Sequence, residues 1–572
     1  MKHIKKTSLL SKKTEFTDVI FDYPIFESNI DLSDRAVSFQ NCTFSKEALF
    51  KELQLAWVSF VDCKFFNDLK IESCQFERLT LGDCRLEGDL NLQNNKITER
   101  LNIEECKTPK DIIISGDYKN LLIWSLEARS LEIIDVNTET NFLDSSIEFL
   151  GNCSINRVSL ESYTTESNIF FKQEGVFDTI ILEGLFLGQI LFSGRIKCKY
   201  LIFESSSFEN RIEISEGKFE SVFFYRSDFK GIVWLNGYSA MDQTFNDILI
   251  DSLTFHSNTF ERNITIDSPR LKFLDISNNN FKKVFQSSFQ VPSSHTESDI
   301  HITINGTNQG NILLQEMQTN LSLSGINLGN INCRDVLFSD LHIGDFQNLG
   351  NVSFFNIVEG NLFTIENSSV GRMEFLNTDI NVFKEIVIAD SNVENTTFSS
   401  YPKKIRSFSS NPKVGYGIRI KDRNSENLGH VYNQLKQVAR KKGDIDTANK
   451  YQSLEYKQLM ANKKLGFDKI LLFLNWISNR HGSSWIRGVV FTLSVSILLF
   501  SIYLSIFKTD FLSFGNFGDY ILFLTSFPKM YLEKYVESND LWYVSLVIWT
   551  SRVFVSYGIY QTVAAFRKYG KN

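Results

Sequence analysis

The chain has 572 residues, 60 Lys+Arg against 67 Asp+Glu, a net charge of −7, 13% aromatic residues with 51 Phe, and only 7 Pro. So much aromatic and so little Pro excludes a disordered or collagen-like chain. The eight cysteines over this length exclude a small disulfide-stapled fold, and the length asks for several domains or one long repetitive one.

Charge divides the chain into three stretches. The first 400 residues carry 35 basic against 56 acidic residues (−21), residues 401–488 carry 18 against 6 (+12), and residues 489–572 carry 7 against 5 (+2). An acidic body, a basic connector and an apolar end is the order expected of a membrane-anchored protein with a cytoplasmic body. The lead-in, residues 1–29, opens Met-Lys-His-Ile-Lys-Lys but has no apolar stretch long enough for an export signal. The body is therefore expected to stay inside the cell with its cysteines reduced.

Residues 30–400 are repetitive. In SFQNCTF, SFVDCKF, KIESCQF and TLGDCRL a small residue stands two positions before a large apolar one. Cys42, Cys63, Cys74, Cys84, Asn95 and Cys106 follow at spacings of 21, 11, 10, 11 and 11. The frame returns at Ser206, Gly217, Ser227 and Gly237, and again at Asn258, Asn279, Ser368, Thr378 and Ser391. Apolar and polar residues alternate inside each unit, which is the strand pattern. Short strands at a fixed repeat predict a parallel β-solenoid, whose coils bury their apolar sides only by stacking. The inward Phe, Leu and Ile then form ladders, and the small Cys, Ser, Asn or Gly fits the corners. The fold class is mainly β, followed by α.

The units Cys42-Thr43-Phe44, Cys63-Lys64-Phe65, Cys74-Gln75-Phe76 and Ser227-Asp228-Phe229 resemble the pentapeptide-repeat family and its degenerate right-handed β-helix relatives. That resemblance implies a right-handed coil over residues 30–400.

Pro402 and Pro412 mark a basic linker, 401–424, which cannot continue a ladder. Residues 425–464 predict a helical hairpin. Its first helix carries Leu428, Val431, Leu435 and Val438 or Ala439, and its second Ala448, Tyr451, Leu454 and Tyr456, with a turn at Gly443-Asp444. The string YNQLKQVARKKGDIDTANKYQSLE is similar to a hairpin found in pentapeptide-repeat membrane proteins. Residues 465–480 hold FDKILLFLNWI, too short to span a bilayer. With Trp476, Lys463, Lys464 and Arg487 around it, this segment reads as an interfacial helix on anionic headgroups or as a buried docking helix.

Residues 485–508 predict a first transmembrane helix, with an uncharged run from Gly488 to Phe507. Residues 541–567 predict a second, and 519–530 a short re-entrant or pore-helix-like segment. The basic flanks at Lys463–Arg487 and Arg567–Lys571 put both termini in the cytoplasm of a multi-pass protein of the inner membrane. Span, short segment, span is the layout of two-helix channels of the potassium-channel class, and VFVSYGIYQTVAAFRKYGK is similar to the last helix of channel-like proteins carrying pentapeptide repeats. The resemblance stops at the filter: Thr525-Ser526-Phe-Pro-Lys-Met-Tyr stands where a Thr-Val-Gly-Tyr-Gly-like run is needed, so potassium selectivity is not expected.

Polar positions in the spans are the candidate pore or polar network. Ser494, Ser501 and Ser505 share one arc of the first helix; Ser545, Arg552 and Ser556 share one arc of the second, and Thr550, Tyr557 and Gln561 another. Thr525 and Ser526 lie between the spans. The serines read as packing contacts or as pore lining, and Arg552 as a group facing a polar path or snorkelling from a tilted helix. No nucleotide-binding loop, HExxH or CxxC occurs, and the seven histidines are scattered. No enzyme activity, catalytic residue, cofactor or metal is therefore expected. Three readings follow: an oligomeric channel or pore with a sensing solenoid, a membrane-tethered scaffold, and an acidic DNA mimic. The first is preferred. Its partners are membrane lipids, further copies of the chain and a cytoplasmic protein or small-molecule signal on the solenoid, with no nucleic acid expected. A membrane-disrupting effector, for instance in antiviral defence, is one setting for such a pore.

Overall fold

The computed structural model describes residues 2–4, 14–22, 25–27, 31–136, 145–165, 167–236, 248–267, 271–288, 300–405, 426–506 and 542–569. They divide into two compact units. One comprises Met1–Phe363, Arg372–Lys384 and Phe398–Ser400, the other Thr364–Gly371, Glu385–Thr397 and Tyr401–Asn572.

The first unit is a parallel β-solenoid whose coil is 21 residues long around Leu69 and differs elsewhere, with 19 residues from Ile300 to Thr319 and 31 from Gly217 to Ile248. Leu69 pairs with Ala48 on one side and Leu90 on the other, in register. Each coil has at least two corners, which is why the sequence beats at 10 and 11. Cys42, Cys63, Cys84 and Cys106 stack in one column, each carbonyl accepting from the next coil, as in Lys64 N to Cys42 O and Arg85 N to Cys63 O, both 2.9 Å. Leu53, Cys74 and Asn95 stack in a second column, with Gln75 N to Leu53 O and Lys96 N to Cys74 O both at 2.8 Å.

What turns the chain is the residue before each small one. Asn41, Asp62, Asp83 and Glu105 precede the first column with φ between 51° and 54°, and Glu52, Ser73 and Asn94 precede the second with φ of 52° or 53°. These are left-handed conformations, which Asn and Asp tolerate better than most residues. The same device recurs at Ser205, Arg226, Ser257 and Asn278. Replacing Arg226, a long side chain held at φ 47°, with Asn is expected to stabilise the solenoid by about 0.5–1 kcal/mol; chemical denaturation checks it, and an unchanged midpoint would contradict it.

Behind the corner the small residue is buried and directs its polar atom to backbone. Cys63 Sγ donates to Phe39 O at 3.3 Å and Cys106 Sγ to Leu81 O at 3.4 Å. In later coils asparagine takes over: Asn258 Nδ2 donates to Phe224 O and Asn279 Nδ2 to Phe255 O, at 2.7 and 2.8 Å. Each Asn Oδ1 in turn accepts from the preceding coil, as from Ser227 N and Asn258 N, both at 3.0 Å. A buried amide column is stable only when satisfied in this way.

The two-residue offset puts the large apolar side chain inside. Phe186, Phe208, Phe229, Phe260 and Phe281 stack at 5.0, 5.0, 4.7 and 5.4 Å between ring centroids. Phe16, Phe39 and Phe60 form a second ladder at 5.1 and 4.9 Å, and Phe21, Phe44 and Phe65 a third at 4.9 and 4.5 Å. Pairing survives length changes: Gly217 pairs with Ile248, 31 positions on.

The second unit contains five described helices. α1 is Glu426–Lys441 and α2 Ile445–Asn462. They turn at Gly443, with φ 77°, and at the N-cap Asp444, whose side chain accepts from Thr447 N at 3.0 Å. Leu428, Val431, Leu435, Val438, Ala439, Ala448 and Tyr451 are buried, while Leu454 and Tyr456 are half-buried. Lys436 and Glu455 make a sheltered ion pair at 2.6 Å, and Tyr451 Oη donates to Pro402 O at 2.8 Å. α3 is Phe467–Asn479, α4 Trp485–Ile506 and α5 Trp542–Tyr569. Most of the linker, residues 406–424, and the whole 519–530 segment lie outside the described residues.

Candidate membrane domain

α4 is long and apolar enough to cross a membrane. Its window Trp485–Ile502 has mean hydropathy 1.9 and is only 17% buried, the one such helix among the described residues. Leu493, Ile497, Leu498 and Ile502 are 41–60% exposed.

α4 and α5 pack antiparallel through two copies of one pattern, Gly488-x-x-x-Thr492 and Gly558-x-x-x-Thr562. A methyl group on Gly488 would come within 2.5 Å of Thr562 Oγ1, and one on Gly558 within 2.3 Å of Thr492 Oγ1. Each glycine thus admits the other helix's threonine. Both hydroxyls donate to the carbonyl four residues back, Thr492 to Gly488 O and Thr562 to Gly558 O, each at 2.8 Å. The seam therefore leaves neither hydroxyl unpaired, an arrangement suited to an apolar medium. Ser496, Ser551, Val555 and Ala565 are buried in the same helices at four- and three-residue steps from the glycines and threonines.

The predicted polar positions separate. Ser494, Ser505 and Ser556 are exposed and Ser501 is half-buried, so the buried serine of α4 is Ser496. Gln561 is buried: its Oε1 accepts from Asn479 Nδ2 of α3, and Tyr557 Oη donates to Asn475 Oδ1 at 2.9 Å. Tyr557 and Gln561, read as one arc, do act together, but toward α3. Arg552 is half-buried. Extending the Gly488–Thr562 register along the pair sets it level with Leu498, inside the apolar window. Thr525, Ser526 and the Ser545 side chain lie outside the described residues.

Of the interface residues, Trp476 is 38% exposed, Lys464 and Arg487 are exposed, and Lys463 pairs with Asp468. The lysine holds that carboxyl below its ordinary range. In the solenoid, burial pushes the Cys74 thiol up to about 11 and Cys198 up to about 12. Such thiols are poor nucleophiles and poor ligands at neutral pH. Among the described residues no group of three or more His, Cys, Asp or Glu is arranged to hold a metal. No family model, curated protein or solved structure matches the chain.

Proposed function

We propose that this chain is a subunit of an oligomeric membrane channel or pore. α4 and α5 form its two-span hairpin, and the solenoid is a cytoplasmic sensing or interaction body. The supporting observation is the reciprocal glycine–threonine seam between two helices whose outer faces are apolar. On α5, Trp549, Ile559, Tyr560 and Phe566 are 52–67% exposed. Water penalises such a surface and lipid does not. A helix packed antiparallel along the length of α4 shares its depth, and basic flanks before α4 and after α5 put both outer ends in the cytoplasm.

Arg552 carries the pore reading. A guanidinium at that depth costs at least ~2.5 kcal/mol on insertion scales unless water or polar groups receive it. The channel reading sets that charge on a water path, which two helices cannot enclose and several copies can. Fixed positive charge along the path favours anions. The native protein in liposomes is therefore expected to conduct, and Arg552→Ala to lose part of its anion preference without changing the mass of the detergent-solubilised assembly. Absence of flux from the native protein would leave the tethered scaffold, a reading favoured by the aromatic side chains that the solenoid exposes at Trp57, Trp124 and Phe273.

A further inference from the structure

α3 is inside out. A helix on a soluble protein turns its apolar side inward and its polar side to water. Here Phe467 is 87% exposed, Leu471 55%, Ile470 50% and Phe473 48%, while Asn475 is half-buried and Asn479 only 2% exposed. The polar side is bonded to α5 through Asn475 to Tyr557 and Asn479 to Gln561. Thirteen residues rise about 20 Å, less than the ~30 Å hydrocarbon core, so α3 cannot cross. The cations Lys464 and Arg480 are exposed at its two ends, Lys469 is half-buried on its first turn, and Arg487 is exposed on the first turn of α4.

We infer that α3 lies in the headgroup layer of the bilayer. Its Phe467, Ile470 and Phe473 side enters the acyl boundary, with Leu471 at the edge of that side, and Lys464, Lys469, Arg480 and Arg487 bind anionic phospholipid headgroups. This rests on the membrane reading of α4 and α5. The occupant is lipid because the exposed apolar side belongs to the same helical unit as the lipid-length surface of α4, and because cations flank it where phosphates would stand. The hydrogen bonds to α5 tie the surface helix to a spanning one, so a change in headgroup charge is felt at α5.

The test is spin-label accessibility in nanodiscs of mixed phosphatidylcholine and phosphatidylglycerol. All eight native cysteines are buried, so single labels are placed with Leu471→Cys, Leu498→Cys on α4 and the exposed Lys457→Cys on α2. The Leu498 label is expected to meet oxygen and not a water-soluble nickel chelate, the Lys457 label the reverse, and the Leu471 label to fall between them as a shallow lipid position. Adding Lys464→Glu and Lys469→Glu is expected to move the Leu471 label several-fold toward the chelate in the anionic discs and not in pure phosphatidylcholine. A Leu471 label as wet as Lys457 beside a lipid-buried Leu498 overturns the inference and spares the anchor. A Leu471 label shielded from both reagents overturns it in favour of a second protein copy. An equal response to charge reversal in both lipids overturns headgroup binding, and a wet Leu498 removes the membrane reading itself.

Discussion

Phe229→Asp is expected to unfold the solenoid around its coil. Phe229 is 1% exposed and sits in a ladder between Phe208 at 5.0 Å and Phe260 at 4.7 Å. Removing a buried phenyl group alone costs about 3–5 kcal/mol. An unpaired carboxylate in that space adds several more, because the neighbouring rings offer it neither charge nor hydrogen bond. Stability in stacked coils is a nearest-neighbour property, so the loss spreads to the coils on either side. Limited proteolysis should open sites near residue 229 first, and the far-ultraviolet β signal should fall. The contrast is Phe273→Asp, at a side chain 51% exposed, expected within about 0.5 kcal/mol of the native stability. Equal tolerance of both substitutions would contradict the ladder.

Gly558→Leu is expected to separate α4 from α5. A first side-chain carbon there already falls 2.3 Å from Thr492 Oγ1 and 3.3 Å from its Cα. The helices must move apart by the thickness of a side chain, which costs about 1–3 kcal/mol of packing. Separation also loosens α5 from α3, since Tyr557 and Gln561 move with it. The distance between spin labels on the exposed Leu498→Cys of α4 and Val553→Cys of α5 is expected to lengthen in a Gly558→Leu background. An unchanged distance would mean that the glycines do not set the approach. Gly558→Ala tests the same seam with a smaller group and a smaller loss.

The repeat was legible because a small residue with a large apolar one two positions later recurs at the corners of many coils, as at Cys42 and Phe44 or Ser227 and Phe229. Its unit was legible as well: the 10–11 beat counts corners and its doubling to about 21 counts coils, as the pairing of Leu69 with both Ala48 and Leu90 shows. The left-handed residue escaped notice because Glu105 and Arg226 hold the same φ as Asn41; the stack imposes the conformation and overrides preference. In the second unit, α4 was readable from hydropathy as one long apolar helix. The packing face of α4 was not, because a helix that is apolar all round gives no arc a reason to face inward, and the serines at 494, 501 and 505 drew attention away from Gly488, Thr492 and Ser496. The bonds from Asn475 and Asn479 span 82 positions each, a distance at which no local pattern speaks.

The closed 21-residue coil makes the solenoid a ruler with a fixed graduation. Each coil adds one strand spacing, about 4.8 Å, and begins and ends at the same corner. Cutting out one complete coil, such as residues 64–84, joins Cys63 to Arg85 and keeps every inward side chain inward, because equivalent positions simply move up by one graduation. Removing ten residues instead brings a corner of one column onto the other and breaks both ladders. The height of the body can therefore change only in whole steps. Any object held at its far end would be carried a set distance by counting coils rather than by reshaping them.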